Sequence, residues 1–308
     1  MNSTAPVVSI CIPTYGRVEI LHKTLDSIFC QNVDTNLFEI CISDNSPTDE
    51  TKQMLDSYFS DKTNIIYSKS TCEGYYNSIE ALKLGRGSLL KLHNNYTMFA
   101  GGKLSFFITF VQNFIKESPV LFFSAGSLKL KRTSEKYDSF DAFLKSITYF
   151  STWSTSFCIW KEDFISLMAK EIELDKMFPH TSLLFSLTDK TTYIVDDEKY
   201  FENQDVGKKG GYNLPETFGT RYLGMVDSLA KRKAISQSTA SLIYKRILQF
   251  ISEWYLLCKV FSDKYLFGFE NWQIIVEKLY GKKEIRAIHW YYLLHLPKAL
   301  VKKVLGKY

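Results

Sequence analysis

Two apolar segments, each followed by a polar loop, constrain the fold of this chain more than any other feature. They are residues 7–17, VVSICIPTYGR, and residues 38–48, FEICISDNSPT. Continuous, β-branched apolar runs of this kind predict buried strands of a parallel sheet. Between them, residues 19–29 carry apolar side chains at helical spacing, which predicts an amphipathic helix. A strand–helix–strand unit places both loops at the carboxyl edge of the sheet, where α/β proteins bind ligands.

The same alternation of strand and helix continues along the first 125 residues. Apolar runs predict further strands at residues 64–67, 89–92 and 120–124, and helical spacing predicts helices at residues 74–82 and 104–115. We therefore expect an α/β fold with a mostly parallel sheet and helices on both faces. The next stretch is less regular, with strands predicted at residues 155–160 and 193–195 and a polar loop or edge hairpin at residues 129–138.

The chain changes character near residues 208–212, KKGGY, which predict a flexible turn and a domain boundary. Residues 211–308 form an expected helical region, with helical spacing at residues 222–231, 238–261, 272–279 and 285–296. Residues 221–308 hold 16 Lys and Arg against 6 Asp and Glu, a net charge of +10, whereas residues 1–220 have a net charge of −5. A basic region on an acidic body predicts an anionic partner such as membrane lipid, a lipid pyrophosphate or nucleic acid; a solvated helical face is the alternative.

Cysteine usage and the N-terminus predict a cytoplasmic protein. None of the six cysteines has C-x-x-C spacing, and the chain enters its first strand without a secretory pattern. We expect these cysteines to be reduced. No run reaches about 18 uninterrupted apolar residues, so we expect no membrane-spanning helix.

Several motifs occur in an order that points to one enzyme family. Residues 7–102 resemble the donor-binding half of family-2-type glycosyltransferases with the GT-A fold. The matching pieces are VSICIPTYGR, FEICISDNSPTDET, the spacing of Gly74, Asn77, Ala81 and Gly87, and a fourth strand that ends in a polar triplet. More narrowly, Ser43-Asp44-Asn45 and Phe178-Pro179-His180 resemble segments of bacterial O-antigen glycosyltransferases of the abequosyltransferase type.

The resemblance implies a GT-A domain over residues 1–210, with a nucleotide-sugar half at 1–102 and an acceptor half at 103–210. It implies inverting transfer of a hexose or deoxyhexose from a nucleoside diphosphate donor to a hydroxyl of a lipid-linked oligosaccharide. Such transfer belongs to O-antigen or capsule biosynthesis at the inner face of the cytoplasmic membrane. The expected partners are the donor, a polyprenyl-diphosphate-linked acceptor and the membrane surface, without nucleic acid; the oligomeric state stays open. A non-catalytic GT-A module that binds a sugar nucleotide or a partner is the rival interpretation.

Residues at the strand ends are the candidates for donor binding. Tyr15 would form one wall of the base pocket, Asp44 would accept a base N–H, and Arg17 would face phosphate. The plainer alternatives are a surface tyrosine beside a turn, a helix-capping aspartate and an exposed arginine at a helix start. The remaining donor-binding candidates are Pro13, Thr14, Asn45, Asn77, Lys91, His93, Asn94 and Asn95.

The fourth-strand triplet departs from the family, whose paired aspartates at this place hold a divalent cation on the diphosphate. Here the triplet reads His93-Asn94-Asn95. Three interpretations stay open: Mn²⁺ or Mg²⁺ held weakly by Asn95 and His93, metal-free catalysis with Lys91, Arg86 or another cation, and a catalytically degraded site.

An inverting transfer also needs a base for the acceptor hydroxyl. By resemblance its place is Pro179-His180, and His180 suits base catalysis near neutral pH. A structural hydrogen bond is the alternative role for His180, Asp175 is the runner-up base, and Asp189 is a more distant one. Trp153 is a candidate sugar-stacking platform for the acceptor, with core packing as the alternative.

The C-terminal segment HWYYLLHLPKALVKKVLGK combines an aromatic head with a basic amphipathic end. This composition is typical of a helix that lies in a membrane interface and faces anionic lipid. The competing interpretation is a helical cap or a dimer contact.

Overall fold

The computed structural model describes residues 5–305, which divide into two compact units. The first unit ends at Asp205 and the second begins at Val206. We describe each unit by itself. The division lies a few residues before the predicted boundary at residues 208–212.

The first unit alternates strands and helices as predicted. Its strands are β1 (Val8–Thr14), β2 (Phe38–Asp44), β3 (Ile65–Lys69), β4 (Leu89–Leu92), β5 (Thr97–Phe99), β6 (Val120–Phe123), β7 (Ser134–Tyr137), β8 (Cys158–Trp160), β9 (Tyr193–Asp196) and β10 (Phe201–Asn203). Its helices are α1 (Val18–Phe29), α2 (Glu50–Tyr58), α3 (Asn77–Leu84), α4 (Lys103–Gln112), α5 (Phe140–Ile147), α6 (Lys161–Ala169) and α7 (Pro179–Phe185).

The central sheet has the order β3-β2-β1-β4-β8, and only β8 runs antiparallel to its neighbour. Alternate residues of β1 face opposite sides because side chains in a strand alternate. Val8, Ile10 and Ile12 belong to the large apolar core that also contains residues of α1 and α4. Ser9 faces the other side, where it meets the end of α3. The predicted α/β fold with a mostly parallel sheet is therefore confirmed.

The backbone approaches the second face of the sheet closely at one point. A Cβ on Gly87 would lie 2.7 Å from the backbone nitrogen of Ser9, a distance that real Cβ atoms do not show. The Gly87 N–H donates a hydrogen bond to the Ser9 hydroxyl over 2.8 Å. Glycine is needed here so that the turn before β4 can pack directly on β1.

A second group of strands extends the unit, with the order β6-β9-β7. β6 and β9 are parallel, and an antiparallel bridge between Phe122 and Phe157 connects β6 with the segment that leads into β8. The polar stretch at residues 129–138 contains β7, which pairs antiparallel with β9 and forms the edge of the sheet. The predicted strand at residues 155–160 is shorter, because residues 154–156 form a 3₁₀ turn.

Aromatic side chains fill the space between α4 and the sheet. The ring of Phe107 lies within 6 Å of four others: Phe99, Phe123, Tyr200 and Phe201. Most of these pairs are edge-to-face, which is the arrangement that aromatic quadrupoles favour. Much of the high aromatic content thus serves the core.

The second unit is mainly helical. Its elements are β11 (Lys209–Asn213), a π-helical segment (Pro215–Tyr222), α8 (Leu223–Lys231), α9 (Gln237–Val260), β12 (Tyr265–Gly268), α10 (Trp272–Tyr280) and α11 (Lys282–Val304). The predicted flexible turn at residues 208–212 is wrong, because these residues pair with β12 as β11. A turn signal of two glycines does not reveal a partner strand more than 50 residues away.

The last helix extends beyond the predicted end at residue 296. α11 continues through Pro297, which removes one backbone hydrogen bond but does not end the helix. Leu296 and Ala299, on either side of the proline, pack in one cluster with Leu256 and Val260 of α9. None of the helices within residues 5–305 combines the length and apolar character needed to cross a bilayer.

Candidate active site

The carboxyl ends of β1 and β2 are tied together by the side chain of Asn77, at the start of α3. Its amide nitrogen donates to the backbone oxygens of Ser43 and Thr14, over 2.8 and 3.3 Å, and to the Asn45 side chain over 3.0 Å. Its amide oxygen accepts from the Ser43 hydroxyl over 2.7 Å. Asn77 is buried. Asn77 therefore holds the two loops together. Its predicted contact with the donor stays a prediction.

Asp44 ends β2 and is fully buried. Its carboxylate accepts hydrogen bonds from the Ser46 backbone nitrogen over 2.9 Å and from the Tyr67 hydroxyl over 3.1 Å, and Lys69 lies at 3.5 Å. The Ser46 hydroxyl also bonds Asp44 and accepts from the Gly16 N–H over 2.6 Å. Asp44 therefore braces both loops. Its contact with a nucleotide base stays a prediction.

Tyr15 and Arg17 project from the first loop. Tyr15 is 65% exposed, whereas Pro13 and Thr14 lie deeper. Arg17 is exposed and adopts a left-handed backbone conformation, with φ at 57°. Burial raises the pKa of Tyr75 and of Tyr96, and the nearby charge of Arg17 opposes that rise in both. The charge of Arg17 therefore acts on both tyrosines.

The fourth-strand triplet is more enclosed than expected. His93 is fully buried, its ring stacks on Phe99 and meets Phe201 edge-on, and its Nε2 donates to the Thr97 carbonyl over 2.7 Å. Its Nδ1 is buried without a hydrogen-bond partner. Burial, together with the charge of Lys91, lowers the pKa of His93 to about 3.

Lys91 is also an interior residue. Its ammonium donates to the backbone oxygens of Leu92, over 2.7 Å, and of Thr155, and it lies 4.6 Å from the centre of the Phe201 ring. Burial lowers the pKa of Lys91 to about 7. The side chain of Lys91 is fully buried and backbone carbonyls hold its ammonium. The predicted contact of Lys91 with the donor stays a prediction.

Arg86 was the other cation expected to replace a metal, and it lies at the opposite edge. Its guanidinium pairs with the buried Glu39 over 2.8 Å, and Glu39 also accepts from the Ser9 hydroxyl over 2.6 Å. Ser9 and Glu39 stand near the amino ends of β1 and β2. Arg86 is thus remote from the ligand-facing loops.

The triplet does not fit a divalent cation. The Asn94 amide oxygen accepts from the Ser154 hydroxyl over 2.6 Å, and its nitrogen donates to the Tyr96 hydroxyl over 3.1 Å. The Asn95 nitrogen donates to the Thr14 hydroxyl over 2.9 Å. Magnesium and manganese prefer several oxygen ligands, including carboxylates. Within residues 5–305, no three His, Cys, Asp or Glu side chains group around a common point. The expectation of a weak metal site at His93 and Asn95 is therefore not supported by these donors.

A short Ser/Thr-rich segment, residues 152–155, links the triplet to His180. The Thr152 carbonyl accepts from His180 Nε2 over 3.0 Å, the Ser154 hydroxyl bonds Asn94, and the Thr155 carbonyl bonds Lys91. Between them, Trp153 is 40% exposed and packs edge-on against Phe150. The structure thus brings His180, Trp153 and the loop after β4 to one place.

His180 is held in one protonation form. A carbonyl only accepts hydrogen bonds, so Nε2 carries the proton and Nδ1 carries the lone pair. The side chain is 5% exposed, and burial lowers the pKa of His180 to about 4 against the opposing effect of the Thr152 hydrogen bond. His180 is therefore neutral at pH 7. Its pKa lies below the near-neutral value expected from the sequence, and its role as a base stays a prediction.

The two carboxylate alternatives differ in position. Asp175 accepts from the backbone nitrogens of Met177 and Phe178, over 2.8 and 3.0 Å, just before α7. It therefore stabilises the chain at the start of the helix that carries His180. Asp189 precedes β9 and lies at the amino edge of the sheet, so the structure removes it as a base for this site.

Sequence reasoning missed the residues that connect the site. Ser46 joins the first two loops, and Thr152, Ser154 and Thr155 join the triplet to His180. The only local signal was the run of hydroxyl residues in STWSTS, at residues 151–156. Nothing in that run identifies partners about 30 and 60 residues away.

Comparison with known proteins agrees with this geometry. Residues 9–82 match the profile described as Glycosyl transferase family 2. The chain is 50% identical over 50 residues to abequosyltransferase RfbV of Salmonella typhimurium, a match that covers 16% of this chain and 15% of that protein. It is 36% identical over 74 residues to validoxylamine A glucosyltransferase of Streptomyces hygroscopicus, covering 24% of this chain and 17% of that protein.

The fold comparison extends over nearly the whole chain. The crystal structure of S. aureus TarS 1–349 in complex with UDP-GlcNAc superposes with a TM-score of 0.58 at 14% identity, covering 98% of this chain and 92% of that one. The chain is similar to family-2 glycosyltransferases of the GT-A fold. The expected GT-A-type fold is thus confirmed. The sequence matches cover only about a sixth of the curated relatives.

Acid should destabilise the protein through His180. The pKa of His180 is about 4 in the folded chain, and in the unfolded chain it is about 6.5. Between these values the unfolded chain binds more protons, so the free energy of unfolding falls as the pH is lowered from about 6.5 toward 4. In urea titrations, the free energy of unfolding should fall between pH 7 and pH 5 by roughly 2 kcal/mol less in His180→Gln than in the wild type. Equal pH dependence in wild type and variant would contradict a buried, neutral His180.

Proposed function

We propose that the protein is an inverting glycosyltransferase, which moves a sugar from a nucleoside diphosphate donor to a hydroxyl of a lipid-linked oligosaccharide in surface polysaccharide biosynthesis. The observation that carries the proposal is the convergence of the loops after β1, β2 and β4 with His180 through residues 152–155. The family-2 match over residues 9–82 and the GT-A fold support it. The cytoplasmic face of the membrane is the proposed location.

The donor would lie across the loops that follow β1 and β2. Tyr15 offers an exposed ring for stacking, and Asn45 and Asp44 stand beside it. Arg17 would hold the diphosphate, because no described side chain within residues 5–305 forms an ion pair with it and a guanidinium matches phosphate oxygens. In this proposal Arg17 supplies the positive charge that a divalent cation, held by paired aspartates, supplies in the family that the sequence resembles. The chemistry at the leaving group is then electrostatic stabilisation by a fixed cation.

His180 would remove the proton of the acceptor hydroxyl. Its Nδ1 takes the proton while Nε2 keeps its bond to Thr152, a bond that strengthens when the imidazole becomes positive. Trp153 adjoins Thr152 and is the proposed platform for the acceptor sugar. Transfer with inversion follows when the hydroxyl attacks the anomeric carbon from the side opposite the diphosphate.

Donor binding tests the first half of the proposal. Calorimetric titration with UDP-, GDP-, CDP- and dTDP-sugars should find one class that binds, in the presence or absence of a chelator. Arg17→Gln should weaken that binding roughly tenfold to hundredfold, as expected for hydrogen bonds to charged groups. The matched control Lys23→Gln removes an exposed charge of α1 and should leave the affinity unchanged. Binding of no sugar nucleotide would exclude the proposal.

Turnover tests the second half. With the donor from that panel and a polyprenyl-diphosphate-linked acceptor, His180→Gln should lower kcat by about 10²–10⁴-fold with little change in donor affinity. Asp175→Asn is the comparison. A large loss of kcat in Asp175→Asn together with near-normal His180→Gln would assign the base to Asp175.

The non-catalytic module remains the second candidate, because the loop after β4 has no carboxylates. Sugar-nucleotide binding without transfer to any acceptor would favour that function.

The last helix offers a surface for the membrane. On α11, Trp290, Leu293, Leu294, Val301 and Val304 are exposed and recur at spacings of three and four, so they share one face. The opposite face is packed, with Ile288 and Ala299 buried. Lys298 and Lys302 lie exposed beside the apolar face. An apolar face flanked by lysines supports a helix that lies in an anionic membrane interface.

Vesicle binding tests this surface. The double variant Trp290→Ser and Leu294→Ser should bind vesicles containing phosphatidylglycerol at least about tenfold more weakly, because two large apolar side chains no longer enter the bilayer. The control is Leu266→Ser and Ile274→Ser, which removes exposed apolar groups elsewhere in the same unit. If the wild-type protein binds no vesicles but forms dimers at high concentration, and the first double variant does not, the apolar face of α11 is a dimer interface and not a membrane-binding surface.

A further inference from the structure

A cavity of about 410 Å³ opens at the carboxyl ends of β6 and β9. The chain between β6 and β7 forms one wall and is fixed there by Asp197. Its carboxylate accepts from the backbone nitrogens of Leu128 and Leu130, over 3.2 and 2.9 Å, and its own N–H donates to the Thr133 carbonyl over 2.7 Å. These hydrogen bonds within the protein hold the wall in its shape without a ligand.

The cavity presents unpaired positive charge. Lys131, Arg132 and Lys199 line it, and none of them takes part in a hydrogen bond or ion pair among the described residues 5–305. The two carboxylates in the lining are already engaged. Asp197 bonds the wall, and Glu198 pairs with Lys103 over 2.8 Å. Three cations against two carboxylates leave the lining with a net positive charge, and the three cations have no ion-pair partner among the described residues, which favours an anionic ligand.

Glycine at position 126 shapes this cationic wall. Gly126 has φ at +78°, and a Cβ there would lie 2.9 Å from Cε of Lys199. Glycine adopts this backbone conformation without strain and leaves room for the lysine side chain to cross it. Lys199 thus lines the cavity beside Gly126.

The cavity lies at the same edge of the sheet as the candidate active site. β8 separates β4 from β6, and β9 follows β6. Two to three strand spacings put the cavity about 10–15 Å from the end of β4. This separation leaves room for sugar between a group held in the cavity and the loop after β4.

We propose that this cavity binds a phosphate or diphosphate group of the acceptor. The proposal rests on the glycosyltransferase function above and narrows its acceptor to a phosphate-bearing glycan. Arg132 would bind phosphate oxygens through its planar fork, and the two lysines would add charge at close range. The phosphate positions the acceptor and takes no part in bond making or breaking.

Binding of inorganic pyrophosphate tests the cavity directly. Pyrophosphate binding is measured by calorimetry in the Arg17→Gln variant, which lacks the proposed donor-site cation. In that background, adding Lys131→Gln and Arg132→Gln should weaken pyrophosphate binding by at least about tenfold. The control pair Lys116→Gln and Lys136→Gln removes the same charge from exposed positions outside the lining and should change the affinity less than about twofold. Circular dichroism and the melting temperature establish that each variant is folded.

Two results would overturn the proposal: no binding of pyrophosphate, or an equal loss in the control pair, which would show only long-range attraction. Vesicles carrying polyprenyl diphosphate distinguish the source of the phosphate. Vesicle retention that falls with Lys131→Gln and Arg132→Gln identifies a lipid-linked diphosphate. Cavity-dependent binding of soluble pyrophosphate without that fall identifies a water-soluble phosphate-bearing acceptor.

The donor panel separates this proposal from the proposed function. If no sugar nucleotide binds while pyrophosphate binding depends on Lys131 and Arg132, the transferase function fails and only the phosphate cavity stands. If a donor binds and pyrophosphate binding is independent of these residues, the transferase stands and the acceptor phosphate site fails.

Discussion

The hydrogen bonds of Asn77 are the constraint on which the donor side of this structure depends. One buried amide uses both its nitrogen and its oxygen on the chain ends of β1 and β2, from the start of α3. A buried amide that loses its hydrogen-bond partners lowers the stability of the fold by about 1–3 kcal/mol. Moving any one of the three segments away from Asn77 would carry this cost. The loops that carry Tyr15, Arg17 and Asp44 therefore share one fixed frame. Asn77 is the side chain that holds this frame together.

A second set of contacts joins this frame to the acceptor half. Residues 152–155 offer two carbonyls and one hydroxyl to three different partners, His180, Lys91 and Asn94. Burying the Lys91 ammonium is costly, and the carbonyls together with the Phe201 ring offset that cost. The buried lysine thus connects β4 with the Ser/Thr segment through hydrogen bonds. This gives the buried cation next to the triplet a structural role.

The chain pattern predicted the sheet well and the side-chain roles less well. Apolar β-branched runs report burial on both faces, and burial of that kind is what a parallel strand needs, so β1, β2 and β4 could be read from the sequence. The same pattern does not say which way a polar residue inside a strand points or what meets it there. Lys91 and His93 were taken as donor contacts because they adjoin the right loop, yet neighbouring aromatic rings enclose both. Arg86 precedes β4 and therefore lies at the amino edge of the sheet, whereas the loop that follows β4 lies at the carboxyl edge. The sequence prediction had placed both at the same site.

The sequence by itself determined the strand–helix alternation, the helical C-terminal region and the two loops that carry Tyr15 and Asp44, because these follow from local periodicity and from the order of motifs. Only the tertiary structure decided which polar groups face the site and which serve as braces. That decision depends on contacts between residues about 30 to 70 positions apart, such as Ser46 with Gly16 and Asn94 with Ser154. It also decided that three cations, two from one loop and one from another, surround the same cavity. Local periodicity carries no information about such distant partners, because they are chosen by packing.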